Sequence, residues 1–345
     1  MRTVGGSRKS TKRWDSARPH HSHVHVIRPS RTKDTTLMKP RSQSRPPVSS
    51  DHLKVVPRAR PRTLAATLLH VSGYDGFGLW MLLGLALAVG VYPDGRGDVL
   101  VPITLGAALV AVGLVAACLR SRWMPHWHGW IILKGSRPTR DALVALACAL
   151  PVLAVAGLAR GDNAFWATRL AGAAMALCSL CSVLITAYAD GRRQAPDMDH
   201  HLATQLPLSR LVSATYGGGL WLWLCTAGQD TDDAVLHPLS WIVGLLALAL
   251  LRGLVESLRW QAALQRVSVP RGRLELQPKR YAAALLVYAV PCVGLLVMSF
   301  DDSWLVLAFL AAVSCTVGMA TELSLYDEAL AALPGGPEGP PARQR

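Results

Sequence analysis

Apolar runs long enough to cross a bilayer follow one another along most of this chain, and that repetition constrains its fold more than any other feature. A bilayer core asks for roughly 20 mainly apolar residues at about 1.5 Å of helical rise each. Such runs lie at about 72–92, 99–119, 142–160, 164–189, 211–227, 238–257, 281–300 and 303–325, with cores such as LVPITLGAALVAVGLVAACL and YAAALLVYAVPCVGLLVMSF. The first and fifth are short or interrupted by glycine. Backbone N–H and C=O groups in lipid must bond within their own segment, so the runs are expected to be helices. The sequence therefore predicts an all-α, polytopic membrane protein, with about eight transmembrane helices in a bundle over residues 63–330.

Charge divides the chain in the same way. The net charge is +14 over 345 residues. Residues 1–62 hold 16 Lys/Arg against 3 Asp/Glu, and residues 63–345 hold 20 against 19. A pI near 9.9 would suggest nucleic acid, but the body of the chain has no comparable basic excess. Residues 1–62 lack an apolar period and are rich in Ser, Pro, Arg and His, so they are expected to be a basic disordered segment, with residues 331–345 a flexible tail. The HHSHVH run (His20 to His25) is read as incidental rather than metal-binding. No apolar core follows the early charges, so no signal peptide is expected, and Met38 is an alternative start.

The connections sort by sign. Segments 120–141, 190–210 and 258–280 carry 14 Lys/Arg, whereas 93–98, 161–163, 228–237 and 301–302 carry one Arg and eight Asp. Short basic loops stay cytoplasmic, which puts both termini in the cytoplasm of an inner-membrane protein.

Several chemistries lack their residues. The seven cysteines fall in or at the end of apolar runs and read as small buried side chains; Cys178 and Cys181 have no second pair, so no iron–sulfur cluster is expected in this chain. Beyond the leader and linker, histidines 70, 126, 128, 200, 201 and 237 sit in loops or at helix ends, which argues against a membrane-embedded haem. There is no P-loop, nucleophile elbow or zinc-protease helix. Ionisable residues inside spans are functional candidates by default. Here they are Arg169, Glu322, and Arg252 with Glu256, four apart near the end of the sixth run and read as an interfacial snorkelling pair. Asp75 lies among glycines in SGYDGFG, where helix packing is the plain reading. The long basic connections read either as positive-inside charge or as a docking face that also lines a quinone headgroup pocket.

Four segments together resemble the membrane anchor subunit of the dimethyl sulfoxide reductase family. HVSGYDGFGLWMLLGLAL (Ser72, Gly73, Gly76, Gly78) is similar to the glycine-rich opening of the family's first helix. RPTRDAL places Arg140 and Asp141 on its Ser-Arg-Glu at helix three. YADGRR places Tyr188, Arg192 and Arg193 on the Tyr and Arg pair after helix four. TEL places Glu322 on a Gly-Glu-Leu near the end of helix eight, and Arg122 matches the Arg of a His-Leu-Gly-Arg-Pro stretch. Leu119 stands where that stretch has His, and Thr139 replaces the Ser.

The resemblance covers about residues 64–330. It implies a haem-free anchor that exchanges electrons with quinone, either menaquinol or ubiquinol. It would dock a four-cluster ferredoxin-like iron–sulfur subunit that serves a molybdopterin catalytic subunit. Arg122, Arg140, Asp141, Tyr188, Arg192, Arg193 and Glu322 are the implied quinone-binding or docking residues. The chain itself would perform no chemistry on the terminal substrate. Two rivals stay open: a small-solute transporter with helices broken at Pro102, Pro151 or Pro291, and a structural scaffold without a redox role. Against the transporter, ionisable residues at mid-membrane depth are expected to be nearly absent.

Overall fold

A computed structural model describes residues 64–92, 98–119, 137–159, 165–194, 200–227, 238–266, 270–298 and 304–331. All its regular structure is helical: α1 Leu64–Val89, α2 Leu100–Leu119, α3 Arg137–Leu158, α4 Trp166–Gln194, α5 His200–Ala227, α6 Pro238–Arg266, α7 Pro270–Ala284, α8 Val290–Met298 and α9 Trp304–Ala331. A single π turn, Leu285–Ala289, joins α7 to α8, so these described residues form eight continuous rods.

Five stretches are long and apolar enough to cross a membrane: Leu64–Val89, Trp166–Asp190, Leu239–Gln261, Gln277–Met298 and Leu305–Ala329. The expected count was eight. The apolar stretches of α2 and α3, Leu100–Val115 and Ala142–Leu158, are shorter than the other five. α5 is long, but it carries Ser209, Arg210, Ser213 and Thr215 toward its middle. The helices also reach further than the apolar runs. α5 starts at His200, α6 continues to Arg266 and α7 begins at Pro270, so much of the polar chain assigned to connections is helix.

The outside of the bundle is apolar and part of the inside is charged, the reverse of a water-soluble fold. On α6, Leu250, Leu254 and Leu258 face outward, and Leu250 is 78% exposed. Arg252, Glu256 and Arg259 recur at the i, i+4, i+7 spacing of one helix face, and all three are buried, Arg252 to 3% exposure. Exposed Leu, Val and Phe on α3, α4, α8 and α9 continue the apolar surface. This distribution suits a lipid environment, where an apolar exterior costs nothing and charge must turn inward.

α1 is the hub. It packs against α2, α4, α5 and α9, while α3 lies on α4 and α6 lies on α5. Its SGYDGFG run supplies the close approach. A Cβ on Gly78 would run into the carbonyl oxygen of Ala214 on α5, and one on Gly218 would run into the backbone of Gly78 and Leu79. Paired glycines thus let two helix backbones touch, as small residues do at membrane helix contacts. Trp80 fills the α1–α2 seam and donates from Nε1 to the Ile103 carbonyl at 3.2 Å.

Side-chain ties show which helix ends lie together. His70, early in α1, meets Asp190, late in α4, at 3.0 Å. Ser209, early in α5, donates to Glu256, late in α6, at 2.8 Å. Arg252, in the second half of α6, pairs with Glu322, late in α9. The start of α1, the ends of α4, α6 and α9, and the start of α5 therefore occupy one end of the bundle.

Candidate functional site

Twelve residues close a small, half-open recess between α1, α5, α6 and α9, among them Tyr74, Asp75, Arg210, Ser213, Arg252, Glu256, Arg259 and Glu322. Arg252 is its centre. Nη2 donates to Glu322 Oε2 at 2.6 Å, Nη1 to the Tyr288 hydroxyl at 2.6 Å, and Nε to Ser213 Oγ at 3.1 Å. Glu322 uses its other oxygen to accept from Trp260 Nε1 at 3.3 Å. One guanidinium thereby ties α5, α6, α9 and the π turn together.

Arg252 and Glu256 thus do not form the interfacial pair their spacing suggested. Arg252 lies near the middle of α6, which runs nine residues beyond the expected end of the sixth run. Its partner is on α9. Glu256 instead binds Arg259, three residues on, at 2.9 Å, and accepts from Ser209 at 2.8 Å. Taking such charges from water costs several kcal/mol per ion, at the order of magnitude that makes unpaired burial unsustainable; here each carboxylate has a cation and a neutral donor.

The Tyr288 position depends on the π turn. Val290 N–H bonds to Leu285 O, five residues back. Pro291 has no N–H to give the Val287 carbonyl four residues before it. The Tyr216 hydroxyl of α5 donates to that carbonyl at 3.2 Å instead. The extra residue in the turn thus coexists with a satisfied backbone, and Tyr288 reaches Arg252. π turns inside helices are frequent at functional sites.

Toward the charged end of the bundle, cations stack on rings. Arg259 lies 3.7 Å from the centroid of Tyr326, and Arg280 lies 4.2 Å from that of Trp260. Trp260 and Tyr326 meet edge to face at 5.7 Å. Stacked arginine keeps its charge while shedding water more easily than lysine would.

Asp75 forms the other limb. It is fully buried at mid-length of α1 and accepts from Thr316 Oγ1 at 2.8 Å through Oδ2. Trp221 Nε1 donates to the same Thr316 hydroxyl at 3.2 Å. Gly217 makes room for the carboxylate, since a Cβ there would strike Asp75 Oδ1. Asp75 and Arg252 are both deep within spans, so the near absence of mid-span ionisable groups expected from sequence does not hold.

Of the ionisable residues singled out from sequence, Asp75, Arg252, Glu256 and Glu322 line this recess, and Glu322 alone among them belongs to the residues that the resemblance implied. Tyr188 is exposed near the end of α4. Arg140 and Asp141 belong to the first turns of α3, and Arg192 and Arg193 to the last turn of α4. α3 and α4 are packed neighbours joined by a short connection, so those two ends share one end of the pair. Arg122, Leu119's side chain, the His20–His25 run, and residues 1–63 and 332–345 lie outside what the structure describes.

Sequence reasoning missed Ser209, Ser213, Arg259, Tyr288 and the role of Asp75. Arg259 extends the 252/256 spacing by one turn but lies beyond the end assigned to the sixth run. Comparison with family models, with curated proteins and with solved structures finds no match for the chain.

Proposed function

We propose that this chain is the membrane anchor subunit of a molybdopterin/iron–sulfur oxidoreductase of the dimethyl sulfoxide reductase type, with eight spans, and that the recess around Arg252 and Glu322 is where it exchanges electrons with the quinone pool. The observation that carries this reading is the Arg252–Glu322–Tyr288–Trp260 cluster, with Arg252 and Trp260 buried and Glu322 and Tyr288 half-buried. Membrane proteins retain such groups inside spans for ligand, ion or proton handling, because an apolar replacement would be cheaper. Guanidinium, phenol and indole N–H supply donors to quinone ring oxygens, and carboxylates can take the protons a quinol releases. The recess has room for about one water molecule, so a quinone ring enters only if a lining side chain moves; unbranched Met319 is the most adaptable of these.

The motif residues support the docking half of the reading. Arg140 and Asp141 open α3, and Tyr188, Arg192 and Arg193 close α4 at the same end. Together with Arg122 they would present a basic surface to an iron–sulfur subunit with an acidic patch, since complementary charge steers association and orientation. Under the positive-inside rule that surface is cytoplasmic, in a bacterial inner membrane. The quinone is menaquinol or ubiquinol, and the chain binds neither haem nor an iron–sulfur cluster.

The experiment is purification in mild detergent followed by identification of co-purifying chains. An iron–sulfur and a molybdopterin subunit are expected, and their absence overturns the reading. One observation favours a second reading, a proton-linked solute transporter: Asp75 and Arg252 lie deep within helices where such carriers place coupling groups. Solute uptake by proteoliposomes holding this chain alone would establish it.

A further inference from the structure

Asp75 is a buried acid with one carboxylate oxygen unpartnered among the described residues. Its Oδ2 accepts from Thr316, but Oδ1 is shielded from solvent and has no hydrogen-bond partner among the described residues. An orphaned polar oxygen in a membrane interior is expensive and is not retained for packing alone, because an apolar side chain would fill the same space without that cost. The site is also built around it. Gly217 leaves the carboxylate its space, and the Trp221–Thr316 relay fixes one oxygen so that the other keeps its position. Asp75 lines the recess.

The recess holds groups able to exchange a proton, Tyr74, Glu256 and Glu322, beside three arginines that keep their charge. Arg252 of α6 acts electrostatically on Asp75, and the same recess is lined by Tyr74 of α1, Arg210 of α5, Glu256 and Arg259 of α6 and Glu322 of α9. Cys315 of α9 lies within electrostatic reach, and His70 with Asp190 of α4 flank Tyr74. Among its described residues, α2 contributes no charged side chain to this environment. Room for about one water molecule lets a proton pass between Asp75 and a group within hydrogen-bond reach of that water.

We propose that Asp75 is a proton-exchange site at the inner end of this recess. A hydronium ion delivered through the recess gives up one O–H bond, a new O–H bond forms on Asp75 Oδ1, and water is left; release is the reverse. No electron moves, so the step needs no oxidant or reductant. It stands independently of the quinone reading, under which the same carboxyl would receive a proton leaving a quinol.

The test is infrared difference spectroscopy of the purified chain in lipid nanodiscs, between acid and alkaline pH, in H2O and D2O. The wild type is expected to show a titrating carboxyl C=O band from a buried group that shifts on deuteration. Asp75→Asn should lose that band. Thr316→Val keeps the carboxyl but removes the hydrogen bond to Oδ2, so the band should persist at a displaced frequency; this variant decides the matter if Asp75→Asn does not fold. A wild type without such a band, an unchanged band in Asp75→Asn, or an undisplaced one in Thr316→Val overturns the proposal. A chain that shows the band but binds no quinone defeats the functional reading and leaves this one intact.

Discussion

α1 and α6 solve the same problem in opposite ways. α1 is the least apolar of the five long spans, yet 72% of its most apolar stretch is buried, against 28% for α6. α1 earns its central place through glycine, which lets α5 come within backbone contact, and it brings one acid inside. α6 stands at the rim. It gives its leucines to the outside and turns a stripe of Arg252, Glu256 and Arg259 inward. The site is therefore built both from a central, less apolar helix and from an apolar rim helix whose charges share one inward face.

If the inward stripe of α6 holds the bundle together, its central pair should carry the largest effect. Arg252→Met strands Glu322 without its cation, and breaking a buried pair in this way costs about 3–5 kcal/mol. Thermal unfolding in detergent should show that loss. Arg252→Met with Glu322→Gln should recover much of it, because no uncompensated charge remains. Equal losses in the single and double variants would mean that the pair is not the tie.

The α1 side breaks differently. Gly218→Val drives a branched side chain into the Gly78–Leu79 backbone. Overpacking of this kind costs about 1–3 kcal/mol, and more where backbone must move. Tyr288→Phe removes one hydrogen bond to a guanidinium and should cost about 1.5–3 kcal/mol. It leaves the π turn in place, since Tyr216 still serves the Val287 carbonyl. Leu250→Ala, on the outward face of α6, should change stability by less than about 0.5 kcal/mol. A large effect there would mean that another chain, rather than lipid, covers this face.

Much of the architecture was legible in the sequence. The helical, membrane-embedded character follows from run length, and a close helix contact follows from SGYDGFG; that its partner is Gly218 of α5 was not read from the sequence. The site was legible only in part. Glu322 stood out as an acid inside an apolar run. Arg259 was hidden because an apolar-run criterion ends the sixth span before it, although the helix continues to Arg266. Arg252 and Glu256 were visible as a pair, but their true partners are on other helices or a turn away, and the spacing that allows a local ion pair does not decide against a tertiary one. Tyr288 could not be placed, because its direction depends on a π turn that the residue string LLVYAVP suggests only through Pro291. Asp75 looked like packing since its glycines do pack; its unfilled oxygen is visible only in three dimensions.

The most direct measurement is equilibrium binding of a short-chain quinone to the purified chain in nanodiscs, comparing wild type, Glu322→Gln and Leu250→Ala. The account predicts saturable binding at one site, weakened about tenfold or more by Glu322→Gln, equivalent to about 1.4 kcal/mol, and left alone by Leu250→Ala. No saturable binding, or equal binding in all three, would contradict it.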